Sequence, residues 1–191
     1  MRFLMMSVIT SLLLLTGCSK FQPHQVDLQA LHPKIETQQR LPEGLTVSVE
    51  TRDLRPDSLI GYRISRLSDR APVELALPAN VQINQGAKVA LVKLGATPVA
   101  GNAEAQLLLT LKDLSYSATV EALQTVTVKA SLEVKASKYN RSYTGNYNSQ
   151  KQHQFVATPD LQENQAVVQE IILETLSRAF SDQQLLDFLA Q

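Results

Sequence analysis

One cysteine, three histidines, no tryptophan and seven glycines in 191 residues exclude several classes of protein before any pattern is read. A lone cysteine cannot close an intramolecular disulfide, so the fold must be held by burial alone. His24 and His32 lie in a polar tract and His153 stands by itself, which is no metal-ligand spacing. Lys+Arg and Asp+Glu number 18 each and are scattered, leaving no basic footprint for nucleic acid and no polybasic patch. No G-x-S-x-G elbow, H-E-x-x-H, glycine-rich phosphate loop or C-x-x-C occurs. The expectation is a chain with no catalytic residue, no cofactor and no metal.

What the chain does have begins at its N-terminus. Arg2, an apolar run from Phe3 to Leu15 and the tetrad Leu15-Thr16-Gly17-Cys18 form a secretory signal ending in a bacterial lipobox. The run is too short to span hydrocarbon, which takes roughly 20 apolar residues. Residues 1–17 are expected to be removed by signal peptidase II, between Gly17 and Cys18. The Cys18 thiol is then expected to carry diacylglycerol, and its freed amine a further acyl chain such as palmitate. Each buried methylene contributes about 0.8 kcal/mol, so two or three chains anchor stably where one does not. Ser19 stands where an aspartate commonly retains lipoproteins in the inner membrane. The expected address is the outer membrane of a Gram-negative bacterium, on its periplasm-facing leaflet. The membrane, through the N-terminal lipid, is the first expected partner.

Residues 18–44 contain Pro23, Pro33, Pro42 and many glutamines, with isolated apolar residues and no period. They read as a lipidated N-terminus and flexible tether spanning on the order of 25–30 Å, with His24 and His32 solvated. A single periplasmic domain is expected over 45–191.

In that domain Leu45, Val47 and Val49 alternate with polar residues as a half-buried strand does. The charged turn after it holds Arg52, Asp53, Arg55 and Asp57. An arginine fork there would suit a carboxylate or phosphate, whereas mutual pairing at a strand end would be structural; Arg52, Asp53 and Arg55 are candidate binding residues on the first reading. Short strands follow at 61–64 and 73–77, with a turn at Ser68-Asp69-Arg70. A helix over 80–94 is expected, ended by Gly95, its stripe made by Val81, Ala87, Ala90, Leu91 and Leu94; Ile83 and Gly86 fit that stripe poorly. From 105 to 117, Leu107, Leu109 and Leu111 share one parity and Leu114 and Tyr116 the other, which predicts a bulge near Lys112-Asp113.

The clearest strand is 125–136, where Val126, Val128, Ala130, Leu132, Val134 and Ala136 alternate with polar residues. The next, 141–156, places Tyr143, Tyr147 and Phe155 on one side and Ser142, Thr144, Asn146, Asn148, Gln150 and Gln152 on the other. Tyr139, Tyr143 and Tyr147 could stack on a sugar chain with Asn146 and Asn148 as polar partners. The parity instead turns Tyr143 and Tyr147 toward the core with hydroxyls at its margin. A long amphipathic helix starts at Thr158 or Asp160, and Ser181-Asp182-Gln183-Gln184 has the spacing of a second capping box, opening a short helix with Leu185, Leu186 and Leu189. That last stripe either docks a partner or finishes the core.

Taken together, the lipobox, the V-x-V-x-T-R-D-L-R-P turn ahead of Gly61, the alternating strands and the terminal Asp187-Phe188-Leu189 resemble the YajG family of bacterial lipoproteins over nearly all of the mature chain. That resemblance implies an envelope lipoprotein with an α+β fold and carries over no activity. By layer logic the fold is a single antiparallel or mixed sheet of about five or six strands, with two main helices on one face plus a short C-terminal helix. The expected role is a non-enzymatic binding or adaptor module of the cell envelope, with an envelope protein or peptidoglycan as partner. The competing reading is a hydrolase or glycan-binding protein acting on envelope polymers, a hydrolase using Asp53 or Asp57 with His153.

Overall fold

The computed structural model describes residues 21–191. The signal segment, the lipobox and Cys18 lie outside the described residues. Eight strands and three helices follow in the order β1 (His24–Val26), β2 (Thr46–Asp53), β3 (Leu59–Ile64), β4 (Arg70–Leu75), α1 (Ala79–Leu94), β5 (Thr97–Val99), β6 (Ala105–Val120), β7 (Gln124–Lys138), β8 (Arg141–Phe155), α2 (Leu161–Phe180) and α3 (Gln183–Ala190). All eight strands join one mixed sheet, and the fold is α+β as expected, with two strands more than the upper expected number. The additions are the three-residue edge strands β1 and β5, too short to show a period.

The sheet is organised around β6. One edge of β6 pairs antiparallel with β7 along its whole length, and β7 pairs with β8 in a second long hairpin. The other edge is shared: its first half pairs parallel with β2, from Ala105 to Leu111, and its second half pairs parallel with β3 at Tyr116 and Ser117. The register slips between Leu111 and Asp113, at the expected bulge. Leu107, Leu109 and Leu111 before the slip and Leu114, Tyr116 and Ala118 after it are therefore all buried on one face. An uninterrupted strand would have turned one of these sets to water. Gly61 makes the parallel contact possible, because a Cβ there would sit 1.8 Å from the Tyr116 carbonyl oxygen.

The helices cover the face carrying Val126, Val128, Leu132, Val134 and Ala136 of β7. α1 ends at Gly95, whose φ of 98° is the left-handed cap expected from sequence. α2 begins with a reciprocal capping box: the Asp160 carboxylate accepts from the Glu163 N–H, and the Glu163 carboxylate accepts from the Asp160 N–H. This selects Asp160 over Thr158 as the cap. α3 is capped by Asp182, which accepts from the Gln184 N–H, while Ser181 closes α2. The apolar stripe of α3 is packed: Leu185, Leu186 and Leu189 are fully buried.

Residues 24–44 correct the tether expectation. β1 adds parallel to β4, and Val26, Leu28, Leu31 and Leu41 are buried. From Leu28 to Leu41 the chain lies along α1 and α2 as an irregular strap. Its N–H groups at Gln29, Lys34 and Glu36 donate to side chains of Gln169, Ser177 and Ser181, and the Lys93 ammonium donates to the Pro33 carbonyl. Backbone satisfied by side chains instead of a ladder has no period of 2 or 3.6, which is why the tract reads as unstructured. The strap also explains Gly86 and Ile83, both of them buried on α1. A Cβ on Gly86 would lie 2.9 Å from the Leu31 Cβ, so glycine admits the strap. Val81, assigned to the buried stripe from sequence, is instead exposed, because the strap and α2 cover the neighbouring face.

Leu31 is 1% exposed, so Leu31→Ala is expected to destabilise the domain by about 2–5 kcal/mol in urea denaturation. A tether would register no change.

Candidate functional site

Three polar assemblies stand out against the apolar core. The first is the turn after β2. Asp53 and Arg55 pair through two hydrogen bonds, Nε to Oδ1 at 3.0 Å and Nη2 to Oδ2 at 2.6 Å, and the Arg55 N–H also donates to Asp53. The Arg55 side chain is 6% exposed. Arg52 points elsewhere and pairs with Glu50 at the surface, while the Asp57 carboxylate accepts from the Leu59 N–H. The turn therefore uses its charges largely on itself, and Arg52 does not join the other two. Asp53, Arg55 and Asp57 do line one open cleft of about 380 Å³ with Gln25 and Glu74. The Arg55 Nη1 has no hydrogen-bond partner there among the described residues.

The second assembly holds α3 to the sheet. Tyr143 and Tyr147 both donate through their hydroxyls to one oxygen of Asp182, each at 2.7 Å. Gly145, between them on β8, leaves room for this convergence, because a Cβ there would come within 2.4 Å of the Tyr147 hydroxyl. At the other end of α3 the Lys138 ammonium donates to the Leu189 carbonyl, a cation at a helix C-terminus. Burial raises the pKa of both phenols above the ordinary tyrosine value. Burial alone would also raise that of Asp182, but the hydrogen bonds from Tyr143, Tyr147 and Gln184 outweigh it and hold the carboxyl below its ordinary value. The two tyrosines face the core side, as parity predicts. The sugar platform is not assembled: Asn146 and Asn148 project from the opposite face, and Tyr139 is 79% exposed in the β7–β8 turn.

The third assembly was not foreseen, and it corrects the placement of His24 in a solvated tract. His24 is buried. Its Nδ1 lies 2.9 Å from the Asn164 amide nitrogen, and its Nε2 makes a close contact with the Arg63 guanidinium. Tyr116 donates to the Asn164 side-chain oxygen at 2.8 Å. Arg63 in turn donates to the carbonyls of Gln22 and Pro159 and lies 4.1 Å over the Phe21 ring. The cluster joins β1, β3, β6 and α2 at the point where the N-terminal segment enters the fold. Burial, followed by the charge of Arg63, lowers the His24 pKa to about 4 from 6.5. The four residues come from separate elements, so no spacing in the sequence could have announced them.

His153 does not meet Asp53 or Asp57. Its neighbour is Glu170, 3.4 Å away without a hydrogen bond, and Glu170 is also held by Lys151 at 2.6 Å. Among the described residues no group of three or more His, Cys, Asp or Glu is arranged to hold a metal ion. His32 is exposed at the rim of an open groove of about 660 Å³ beside α2, whose carboxylates Glu170 and Glu174 are paired with Lys151.

A mixed sheet covered by three helices and strapped by its own N-terminal segment defines the class: an α+β domain whose buried polar groups serve architecture. Residues 33–190 match the model of a family described as uncharacterised lipoproteins, and the chain belongs to that family. No helix among the described residues is long and apolar enough to cross a membrane. A search of curated proteins finds no match. Among solved structures, the chain is similar to protein XCC0632 from Xanthomonas campestris, at 12% identity and a TM-score of 0.48, covering 90% of this chain and 95% of that one. It is also similar to a minor lipoprotein from Acinetobacter baumannii, at 13% identity and a TM-score of 0.42, covering 78% and 93% respectively.

Two outcomes follow. Asp182→Ala removes a helix cap and the shared acceptor of two phenols, so a loss of about 2–4 kcal/mol is expected in chemical denaturation. Because the folded pKa of Asp182 is depressed, its contribution is full above the ordinary value of 3.8 and is lost as pH falls through the folded value. The depressed pKa of His24 means the unfolded chain binds the extra proton first. Stability is therefore expected to fall by up to about 3 kcal/mol between pH 6.5 and 4, and His24→Asn should flatten that part of the pH profile relative to wild type.

Proposed function

We propose that this lipoprotein is a non-enzymatic binding or adaptor module held at the periplasmic face of the outer membrane by lipid on Cys18, and that its narrower kinship is with the YajG family. The observation that carries the reading is the juxtaposition of the lipobox cysteine with a domain that takes up the chain almost at once: Cys18 is followed six residues later by β1, and the strap and His24 cluster lock that segment in place. The polar groups inside the fold are engaged in holding β1 and α3. The surface left for recognition is the wet face of the β6–β8 sheet, with its Gln, Asn, Ser and Thr rows, and the free edge of β8. At the Asp53–Arg55 cleft, candidate residues from sequence line an opening. Hydrolysis of envelope polymers has only the His153–Glu170 contact in its favour.

In cells, Cys18→Ala is expected to abolish the acyl-modified N-terminal peptide seen by mass spectrometry and to release the protein from the outer-membrane fraction. In-cell crosslinking of the wild-type form should then capture an envelope partner that the variant loses. Retention of Cys18→Ala in the outer membrane would overturn the anchor, and turnover of purified peptidoglycan by the wild-type domain would overturn the non-enzymatic reading.

A further inference from the structure

Exposed apolar residues occur at several places, among them Leu54, Leu77, Val81 and Val92, but the two most exposed aliphatic side chains lie at one end of the sheet. Leu67 at the tip of the β3–β4 turn is 87% exposed and Val156 after β8 is 78% exposed, and Leu123 in the β6–β7 turn and Leu161 in the first turn of α2 are also exposed. Although distant in sequence, these positions occupy one pole. The Gln124 side chain donates to the Ile64 carbonyl, joining the β6–β7 turn to the β3–β4 hairpin. Arg66 of that hairpin donates to the Val156 carbonyl, and Arg63 donates to the Pro159 carbonyl just ahead of α2. Phe21 lies over Arg63 at this same pole.

Phe21 is also where the described chain begins, three residues after Cys18. Three extended residues reach at most about 11 Å. A lipid on Cys18 therefore holds this pole within about 11 Å of the headgroups. The opposite pole, marked by Tyr139, lies at the far end of the fifteen-residue strand β7, about 50 Å away at 3.3–3.4 Å per residue.

We infer that the pole formed by the β3–β4 turn, the β6–β7 turn and the β8–α2 connection is a membrane-docking surface, seated on the phospholipid interface with Leu67 and Val156 as its leading apolar contacts. This rests on the lipidation of Cys18 proposed above. Docking is led by apolar contact, because the pole carries no cationic excess: Arg63, Arg66 and Arg70 stand against Asp69, Glu121, Asp160 and Glu163. Several of these are already engaged: Arg70 lies 5.3 Å over the Tyr62 ring, Asp69 accepts from Ser65, and Asp160 and Glu163 form the α2 capping box. Apolar tips flanked by arginine guanidinium groups suit the boundary between acyl chains and headgroups.

The test is amide hydrogen exchange on the lipidated protein in vesicles of phosphatidylethanolamine and phosphatidylglycerol, against the lipid-free Cys18→Ala protein. Exchange across residues 65–70, 120–124 and 155–161 is expected to slow several-fold on the vesicles, with the 139–140 turn unchanged. Leu67→Ser combined with Val156→Ser should abolish the slowing while the protein still sediments with the vesicles. Equal exchange in the vesicle-anchored and lipid-free proteins, or slowing that includes the 139–140 turn equally, would overturn the docking surface. If the N-terminal peptide carries no lipid mass, the anchor reading fails separately. The same exchange comparison is then made on protein coupled through its Cys18 thiol to a maleimide lipid, where the two outcomes keep their meaning.

Discussion

One extra residue in β6 decides how the sheet is used. β6 is the strand on which β2, β3 and β7 all depend, and it serves β2 with its first half and β3 with its second. A strand that changes neighbours partway along must keep its apolar side inward across the change. The bulge between Leu111 and Asp113 does this by inverting the parity, so that Leu107, Leu109 and Leu111 share the core with Leu114, Tyr116 and Ala118. The helices α1 and α2 then pack on a continuous apolar surface. Tyr116, placed inward by the slip, becomes the residue through which β6 reaches Asn164 and, beyond it, His24.

The polar groups inside the fold consequently act as fasteners. His24, Arg63, Tyr116 and Asn164 fix the point of entry of the chain, and Tyr143, Tyr147, Asp182 and Lys138 fix its final helix. Each cluster joins elements far apart in sequence, and each replaces water by directed hydrogen bonds in a setting where an unmade one would be costly. Between them runs the strap from Leu28 to Leu41, whose Leu31 fills the space over Gly86. The outcome is a domain in which residues 24–41 are built into the core and packed on the sheet and helices.

The pattern-bearing parts of the fold were legible from residues. β7 showed itself by strict alternation, α2 by its 3.6-residue stripe, the end of α1 by Gly95, and the β6 bulge by a change of parity, while the choice of Asp160 over Thr158 as the α2 cap was the structure's. The inward turn of Tyr143 and Tyr147 followed from the same alternation. The misreadings share one cause. The strap, His24 and the membership of Ile83 and Gly86 in a buried face depend on an irregular segment lying on two helices, and irregular backbone leaves no periodic trace. Val81 was misplaced for the same reason, since the direction of a helix's buried face is set by what packs on it.

The sequence by itself determined the strand and helix periods, the glycine end of α1 and the β6 bulge, because each is written in residues within a few positions of one another. Only the tertiary structure decided that the proline-rich N-terminal tract is folded, that four distant polar residues converge on His24, and that Leu67 and Val156 share a pole with the first described residue. Those are facts of long-range proximity. They follow from which surfaces bury best against one another once the sheet has formed, and no local spacing encodes them.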